Sequence, residues 1–114
     1  MDDNDIRDMF AGIGPVSIRR MFGGKGIYAG GVIIALEVDG EILLKADSET
    51  RSQFEAAGSR QWSYDGNKGR GLVAMPYWSI PDEAFDDPDE MARWARMAMQ
   101  AGLRAATPKT KTRD

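Results

Sequence analysis

Two β-rich runs on either side of Asp39-Gly40 constrain the fold more than any other feature of this chain. The first run covers residues 32–38 and the second covers residues 41–46, and both are rich in valine, isoleucine and leucine. Asp-Gly is a preferred two-residue hairpin turn, because both positions tolerate positive φ. The pattern therefore predicts an antiparallel β-hairpin. Alternation places four side chains on one face of its first strand: Val32, Ile34, Leu36 and Val38.

The rest of the chain predicts helices and strands around this hairpin. Apolar residues recur at helical spacing in three segments: residues 5–11, 49–57 and 88–105. Three further segments have β character: residues 16–22, 60–64 and 72–80. Pro76 lacks an N–H, so its strand is expected at an edge or a bulge. The order α-β-β-β-α-β-β-α predicts a two-layer α+β fold, with helices mainly on one face of an antiparallel five-stranded sheet.

Glycines interrupt two of these segments. Gly23-Gly24-Lys25-Gly26 separates the first strand from Ile27–Ala29, and we expect a flexible or bulged connection there. The same residues match a G-x-G-x-x-A pattern, but a dinucleotide site requires a helix after the glycines, and here a strand follows. Gly102 is expected to weaken the last helix and could end it early.

The composition removes the residue types on which most catalytic and metal sites depend. The chain has no histidine and no cysteine, and its net charge is −3. It therefore lacks the usual neutral-pH base, the thiolate nucleophile and the commonest transition-metal ligands. No catalytic residue, metal or cofactor is predicted, and the chain is not expected to be an enzyme.

The length and the two termini predict a single domain in the cytoplasm. Residues 1–106 are expected to form one domain, followed by a disordered tail at residues 107–114 that is rich in threonine and lysine. The acidic N-terminus does not resemble a signal peptide. The longest apolar stretch, residues 32–36, is too short to span a bilayer, so no membrane partner is expected.

A cationic cluster interleaved with apolar side chains is the first candidate binding surface. It comprises Arg19, Arg20, Met21, Phe22, Lys25 and Tyr28. Such a mixture can grip a nucleic-acid backbone and stack on bases, or it can contact a protein. The alternative is structural: one arginine is exposed on a strand and the other is paired with one of the eighteen acidic residues.

The last helix supplies the second candidate surface, for self-association. Its apolar arc is wider than one sheet face requires, which indicates a second neighbour, either the first helix or another subunit. Three residues flank the central stripe and are the candidate dimer surface: Met97, Met99 and Leu103.

Residues 14–28 resemble the opening signature of TfoX N-terminal domains, the most specific part being Arg20-Met21-Phe22-Gly23-Gly24-Lys25-Gly26-Ile27-Tyr28. Later segments agree in order: Leu44–Asp47, Arg51 with Phe54–Gly58, Met75–Trp78 and Ile80–Glu83. The resemblance covers residues 5–106. It implies an α+β fold similar to secretion chaperones, which commonly form dimers, and it supplies no catalytic residues. Competence regulators of this family add a C-terminal domain, and this chain is expected to be a stand-alone form without it.

Three hypotheses for function follow from these observations. The leading one is a non-enzymatic regulatory or protein-interaction module that is homodimeric and linked to transcriptional regulation of competence. The second is direct nucleic-acid binding through the cationic cluster and the tail residues Lys109, Lys111 and Arg113. The third is a small-molecule sensor with a pocket beside the glycine-rich connection and Tyr77.

Overall fold

The computed structural model describes residues 1–21, 23–67 and 71–106 of the chain. It contains three α-helices: α1 (Asp3–Met9), α2 (Arg51–Ala56) and α3 (Pro88–Ala106). It contains six β-strands: β1 (Ser17–Met21), β2 (Gly24–Ala29), β3 (Val32–Val38), β4 (Glu41–Lys45), β5 (Gln61–Asn67) and β6 (Gly71–Ser79). Two short 3-10 turns lie at Ala11–Ile13 and Asp82–Ala84. The segment 107–114, predicted to be a disordered tail, lies outside the described residues.

The strands form one antiparallel sheet in the order β1-β2-β3-β4-β6-β5. Every strand pair is antiparallel, which confirms the predicted α+β class. The hairpin of β3 and β4 turns at Asp39 and Gly40, whose φ angles are 52° and 82°. The Glu37 carboxylate accepts a hydrogen bond of 2.8 Å from the Gly40 N–H and so holds the end of this turn.

The helices pack on one face of the sheet and enclose the core. Ile6 of α1, Phe54 of α2 and Trp94 of α3 are all buried there. The Phe54 ring lies 4.8 Å from the Trp94 ring and 6.2 Å from the Trp78 ring of β6, measured between centroids. Aromatic pairs at these distances stabilise a core beyond their buried area.

The predicted bounds of α3, with Asp87 as the cap and an end at about Ala105, are confirmed. Asp87 caps the helix by accepting hydrogen bonds from the N–H groups of Asp89 and Glu90. Gly102 does not stop the helix, which continues to Ala106. A Cβ at Gly102 would lie 2.7 Å from the Ile33 carbonyl oxygen, so the glycine lets α3 approach β3 closely.

The sheet has six strands rather than the predicted five, because the glycine run contains a turn and part of a strand. Gly23 has a φ of 81°, which suits a tight turn between β1 and β2. Gly24 and Gly26 are both strand residues, paired with Met21 and Arg19 of β1. The run therefore joins two strands, and is not an interruption within one.

A register shift in β3 changes the predicted faces of that strand. Tyr28 of β2 pairs with Ile33 and Ile27 pairs with Ala35, so Ile34 is an extra residue opposite β2. Ile34 and Ala35 are both fully buried in the core as a result. The prediction that Leu36 and Val38 share a face with Ile34 is wrong, since alternation restarts at this bulge.

Pro76 lies at a second irregularity. Ser63 of β5 pairs with Ala74 and Gln61 pairs with Trp78, so the register shifts beside Pro76. β6 lies between β4 and β5 and is not an edge strand. Of the two predicted positions for Pro76, the bulge is confirmed, because a proline in a regular central ladder would remove a hydrogen bond.

Candidate functional site

The face of the sheet opposite the helices carries a groove. Within the described ranges, no helix packs on this face, and the groove encloses about 650 Å³. Its lining is mainly apolar and aromatic: Met21, Ile33, Leu36, Val38, Trp62, Met75 and Tyr77. Gly24, Lys25 and Glu37 complete it. The groove lies beside the glycine-rich segment and Tyr77, where the small-molecule hypothesis expected a pocket.

Two glycines of β2 give this face its concave shape. A Cβ at Gly26 would lie 2.9 Å from Met21 Cε and 3.0 Å from Tyr28 Cε1. The side chains of Met21 and Tyr28 therefore lie over Gly26, and any larger residue at this position would displace them. At Gly24 a Cβ would lie 2.3 Å from the Glu37 carbonyl oxygen, so β2 and β3 also approach closely here. These glycines shape a surface and do not form a phosphate-binding loop, since no helix follows them.

On the face of the sheet opposite the helices, called the open face below, two cations lie over tyrosine rings. The Arg19 guanidinium carbon lies 5.1 Å from the centroid of the Tyr28 ring. The Lys45 ammonium lies 5.0 Å from the centroid of the Tyr77 ring. Both distances fall within the range of cation–π attraction. Burial raises the pKa of Tyr77 and lowers the pKa of Lys45, although the nearby Asp47 charge opposes the second shift.

β1 forms one edge of the sheet, and it carries most of the predicted cationic cluster. Arg19 and Arg20 are both exposed. Successive residues of a strand point to opposite faces, so the two guanidinium groups flank the edge from both sides. Met21 is half-buried and lines the groove. Phe22, also a member of the predicted cluster, lies outside the described residues.

Lys25 is the register partner of Arg20 across β1 and β2, but its ammonium is held by the N-terminal segment. Its ammonium donates hydrogen bonds of 2.8 Å to Asp3 Oδ1 and to the Met1 carbonyl oxygen. The hydrogen bond from Lys25 lowers the pKa of Asp3. Lys25 therefore joins β2 to the start of α1. The structural alternative expected one arginine to pair with a carboxylate, whereas here Lys25 forms the ion pair and both arginines are exposed.

The three candidate dimer residues on α3 differ in their exposure. Met97 is buried, with 9% of its surface accessible, and Met99 is half-buried against the core. Leu103 is 48% exposed. The wide apolar arc of the helix is therefore covered largely by the chain's own sheet and by the turn at Ala11–Ile13. Leu103 is the member of the set that presents apolar surface.

Sequence reasoning missed two residues of the open face. Lys45 and Trp62 received no functional role: Lys45 lies in a segment that resembles the family but carries no assigned role, and Trp62 lies in no such segment. Lys45 is identified by its pairing with Tyr77 across β4 and β6, and these two residues are thirty-two positions apart in the chain.

Among the described residues, no cluster of three or more acidic side chains is arranged to hold a metal ion. Within the same residues, no helix has the length and apolar character to cross a bilayer.

The described residues define a class: a two-layer α+β domain with no helix on one face of its sheet and with two exposed arginines on the edge strand β1. The model of the TfoX N-terminal domain matches residues 8–102, and the chain belongs to this family. The match confirms the resemblance seen in the sequence. Membership suggests a regulatory or interaction role. A comparison with curated proteins gave no match to this chain.

Proposed function

We propose that this chain is a non-enzymatic regulatory module that binds a partner protein by strand addition at β1. The observation that carries the proposal is the position of β1 at the edge of the sheet. One side of this strand pairs with β2, and no described strand pairs with the other side. An extended peptide can add to such an edge through backbone hydrogen bonds, while its side chains supply specificity.

The charges on β1 define the chemistry of the partner. Arg19 and Arg20 place one positive charge on each side of the edge. A partner strand with Asp or Glu at successive positions would place one carboxylate beside each guanidinium. Stacking on Tyr28 also restricts the motion of Arg19, which lowers the entropy that Arg19 loses when the partner binds. The proposed partner segment is therefore extended and acidic.

The same charges disfavour a second copy of the chain at this edge. Antiparallel pairing of two β1 strands would bring arginines of both copies together, and like charges opposite each other destabilise a sheet. Charged edge residues commonly protect proteins from this association. A homodimer, if it forms, is proposed to use the surface around Leu103 of α3 instead, supported by the exposure of that side chain.

Self-association through α3 is tested by light scattering over a concentration series. The dimer proposal predicts a mass that doubles by high micromolar concentration, and a Leu103→Asp variant that stays monomeric. A wild-type chain that is monomeric throughout this range would refute the dimer and leave strand addition at β1 unaffected.

Nucleic-acid binding is the rival function for the same residues, and two observations weigh against it. Lys25 forms an ion pair with Asp3, so two of the three cations in the cluster, Arg19 and Arg20, are exposed to solvent. The net charge of the chain is −3, which opposes association with a polyanion. Binding driven by phosphates would weaken steeply with salt. A DNA or RNA mobility shift at about 50 mM salt that disappears at about 200 mM would favour this rival.

The biological process in which the module acts is also a proposal. We propose the transcriptional regulation of competence, which the membership in the TfoX family supports. A knockout strain with normal DNA uptake and normal competence-gene transcripts would contradict this assignment, without affecting the proposed binding mode.

The strand-addition proposal is tested by selecting random peptides against the purified chain and then sequencing the binders. The selected peptides are expected to be acidic. They should lack proline at alternate positions, because pairing with β1 requires N–H donors from the peptide backbone. An Arg19→Glu, Arg20→Glu double variant should lose them, since each carboxylate would then face a negative charge. The matched control is Arg51→Glu, Arg96→Glu, which reverses two exposed arginines on α2 and α3. Equal loss in both double variants would refute the role of β1.

A further inference from the structure

The groove on the open face has the size and lining of a small-molecule site. Its volume of about 650 Å³ lies within the range of roughly 300–1,000 Å³ that is typical of ligand pockets. Its walls include Met21 and Met75, whose flexible thioethers adapt to different shapes. Trp62 and Tyr77 add aromatic surface on which a flat or branched apolar group can pack.

Lys45 places a positive charge at the rim of this groove. Its side chain is half-buried and lies over the ring of Tyr77, which lines the groove. In the part of the chain that the structure describes, no carboxylate forms an ion pair with Lys45. The nearest acidic residue in the sequence, Asp47, binds Arg104 instead. Lys45 thus loses part of its hydration and gains a cation–π contact and a through-space attraction to Asp47, but no ion pair.

Lys25 has a structural role, and its partners differ from those of Lys45. Lys25 is also withdrawn from solvent, but it forms an ion pair of 2.8 Å with Asp3 and a hydrogen bond to a backbone carbonyl. A partly desolvated ammonium without such partners is unfavourable. An anionic group placed beside Lys45 would restore the lost interaction. Both lysines belong to the same sheet, so the contrast points to a binding role for Lys45.

We propose that the groove binds a small amphipathic anion, whose apolar body lies against Leu36, Trp62 and Met75 and whose acidic group pairs with Lys45. The chemical class is an organic carboxylate, sulfonate or phosphate ester with an aromatic or branched aliphatic body. Such a site would let the concentration of a metabolite control the module. The groove shares Met21 with β1, but it lies on the face of the sheet and not along the outer backbone edge of that strand, so this inference does not rest on the proposed strand addition.

Two fluorescent probes with one skeleton test the inference on the full chain. Anilinonaphthalene sulfonate carries an acidic group, and N-phenyl-naphthylamine has the same rings without it. The sulfonate probe should bind the folded wild-type chain with one site. In a Lys45→Gln variant its Kd should rise about tenfold, since a hydrogen bond to a charged group is lost. The Kd of the neutral probe should change less than about twofold, because its apolar contacts remain.

Two further variants keep the test specific to this groove. Arg51→Gln removes an exposed charge of α2, on the other face of the sheet, and should leave both Kd values unchanged. Val38→Phe fills part of the groove and should weaken both probes together, with an unchanged NMR spectrum outside the groove showing that it folds. The inference is overturned if wild type and Lys45→Gln bind the sulfonate probe equally, if Lys45→Gln weakens both probes alike, or if the folded wild type binds neither.

Discussion

Arg104, near the end of α3, donates two hydrogen bonds to the carboxylate of Asp47, which follows β4. The Nε–Oδ2 distance is 2.6 Å and the Nη2–Oδ1 distance is 3.0 Å. Asp47 also accepts hydrogen bonds from the Glu49 N–H and the Thr50 hydroxyl, so it organises the connection into α2. This pair joins the C-terminal end of α3 to the far end of the hairpin, 57 positions earlier in the chain.

Replacing Asp47 with Asn should lower the free energy of unfolding by about 1 kcal/mol near neutral pH. The amide keeps an acceptor for the Glu49 N–H but loses one of the two charges that hold Arg104, the other being the Glu49 carboxylate at 3.2 Å. The estimate stays small because 35% of the Arg104 side chain is accessible, so water screens the pair. Chemical denaturation of the variant and of an exposed control, Glu55→Gln, measures the difference.

The effect of Asp47→Asn should depend on pH in one direction. The hydrogen bonds from Arg104 lower the pKa of Asp47 in the folded state. Its contribution is therefore complete above the unfolded-state pKa of about 3.9 and is lost as the pH falls through the lower folded-state value. Wild type and variant should converge in stability below about pH 4, and a difference that grew on acidification would contradict this assignment.

Gly102→Ala should destabilise the chain although alanine favours helices. The new Cβ would lie 2.7 Å from the Ile33 carbonyl oxygen and 3.3 Å from Val32 Cγ2. Backbone cannot yield as a flexible side chain does, so overpacking of about 1–3 kcal/mol should exceed the gain in helix propensity of about 1 kcal/mol. Thermal unfolding measures the change, with exposed Gln100→Ala as the control on the same helix. A rise in Tm for Gly102→Ala would show that α3 and β3 are less closely packed.

Phe54→Ala should be the most damaging single change to the helix layer. Phe54 is fully buried and contacts the rings of both Trp78 and Trp94. Loss of a phenylalanine from a packed core costs about 3–5 kcal/mol. Near-UV circular dichroism should also change, since both tryptophans lose a neighbour. Gln53→Ala, an exposed change on the same helix, should leave stability and spectrum unaltered, and similar effects of the two changes would contradict this packing.

Local signals in the sequence predicted the elements that depend on few residues. The turn at Asp39 and Gly40 and the cap at Asp87 follow from the conformations and hydrogen bonds of those residues alone. The sequence could not predict features that depend on contacts with segments distant in the chain. Gly102 was expected only to weaken a helix that runs to about Ala105, because the reason for a glycine there, the Ile33 carbonyl, lies in another element.

The candidate site was predictable only in part for the same reason. The glycine-rich segment and Tyr28 were identified, because they belong to one contiguous motif. Lys45 was not, because its role depends on pairing with Tyr77 across the sheet. The pairing of Lys25 with Asp3 also joins segments 22 positions apart, and no periodicity could indicate it. The bulge at Ile34 then exchanged the faces of the residues that follow it.

The central claim is that the partner adds a strand to β1, and amide hydrogen exchange tests it most directly. Exchange is measured for the chain alone and with a saturating acidic peptide from the selection. The account predicts slower exchange in β1, whose outer amides gain hydrogen-bond partners, with exchange in β5 and on the outer surface of α3 unchanged. Protection confined to α3 or to the groove, with β1 exchanging as in the free chain, would contradict it.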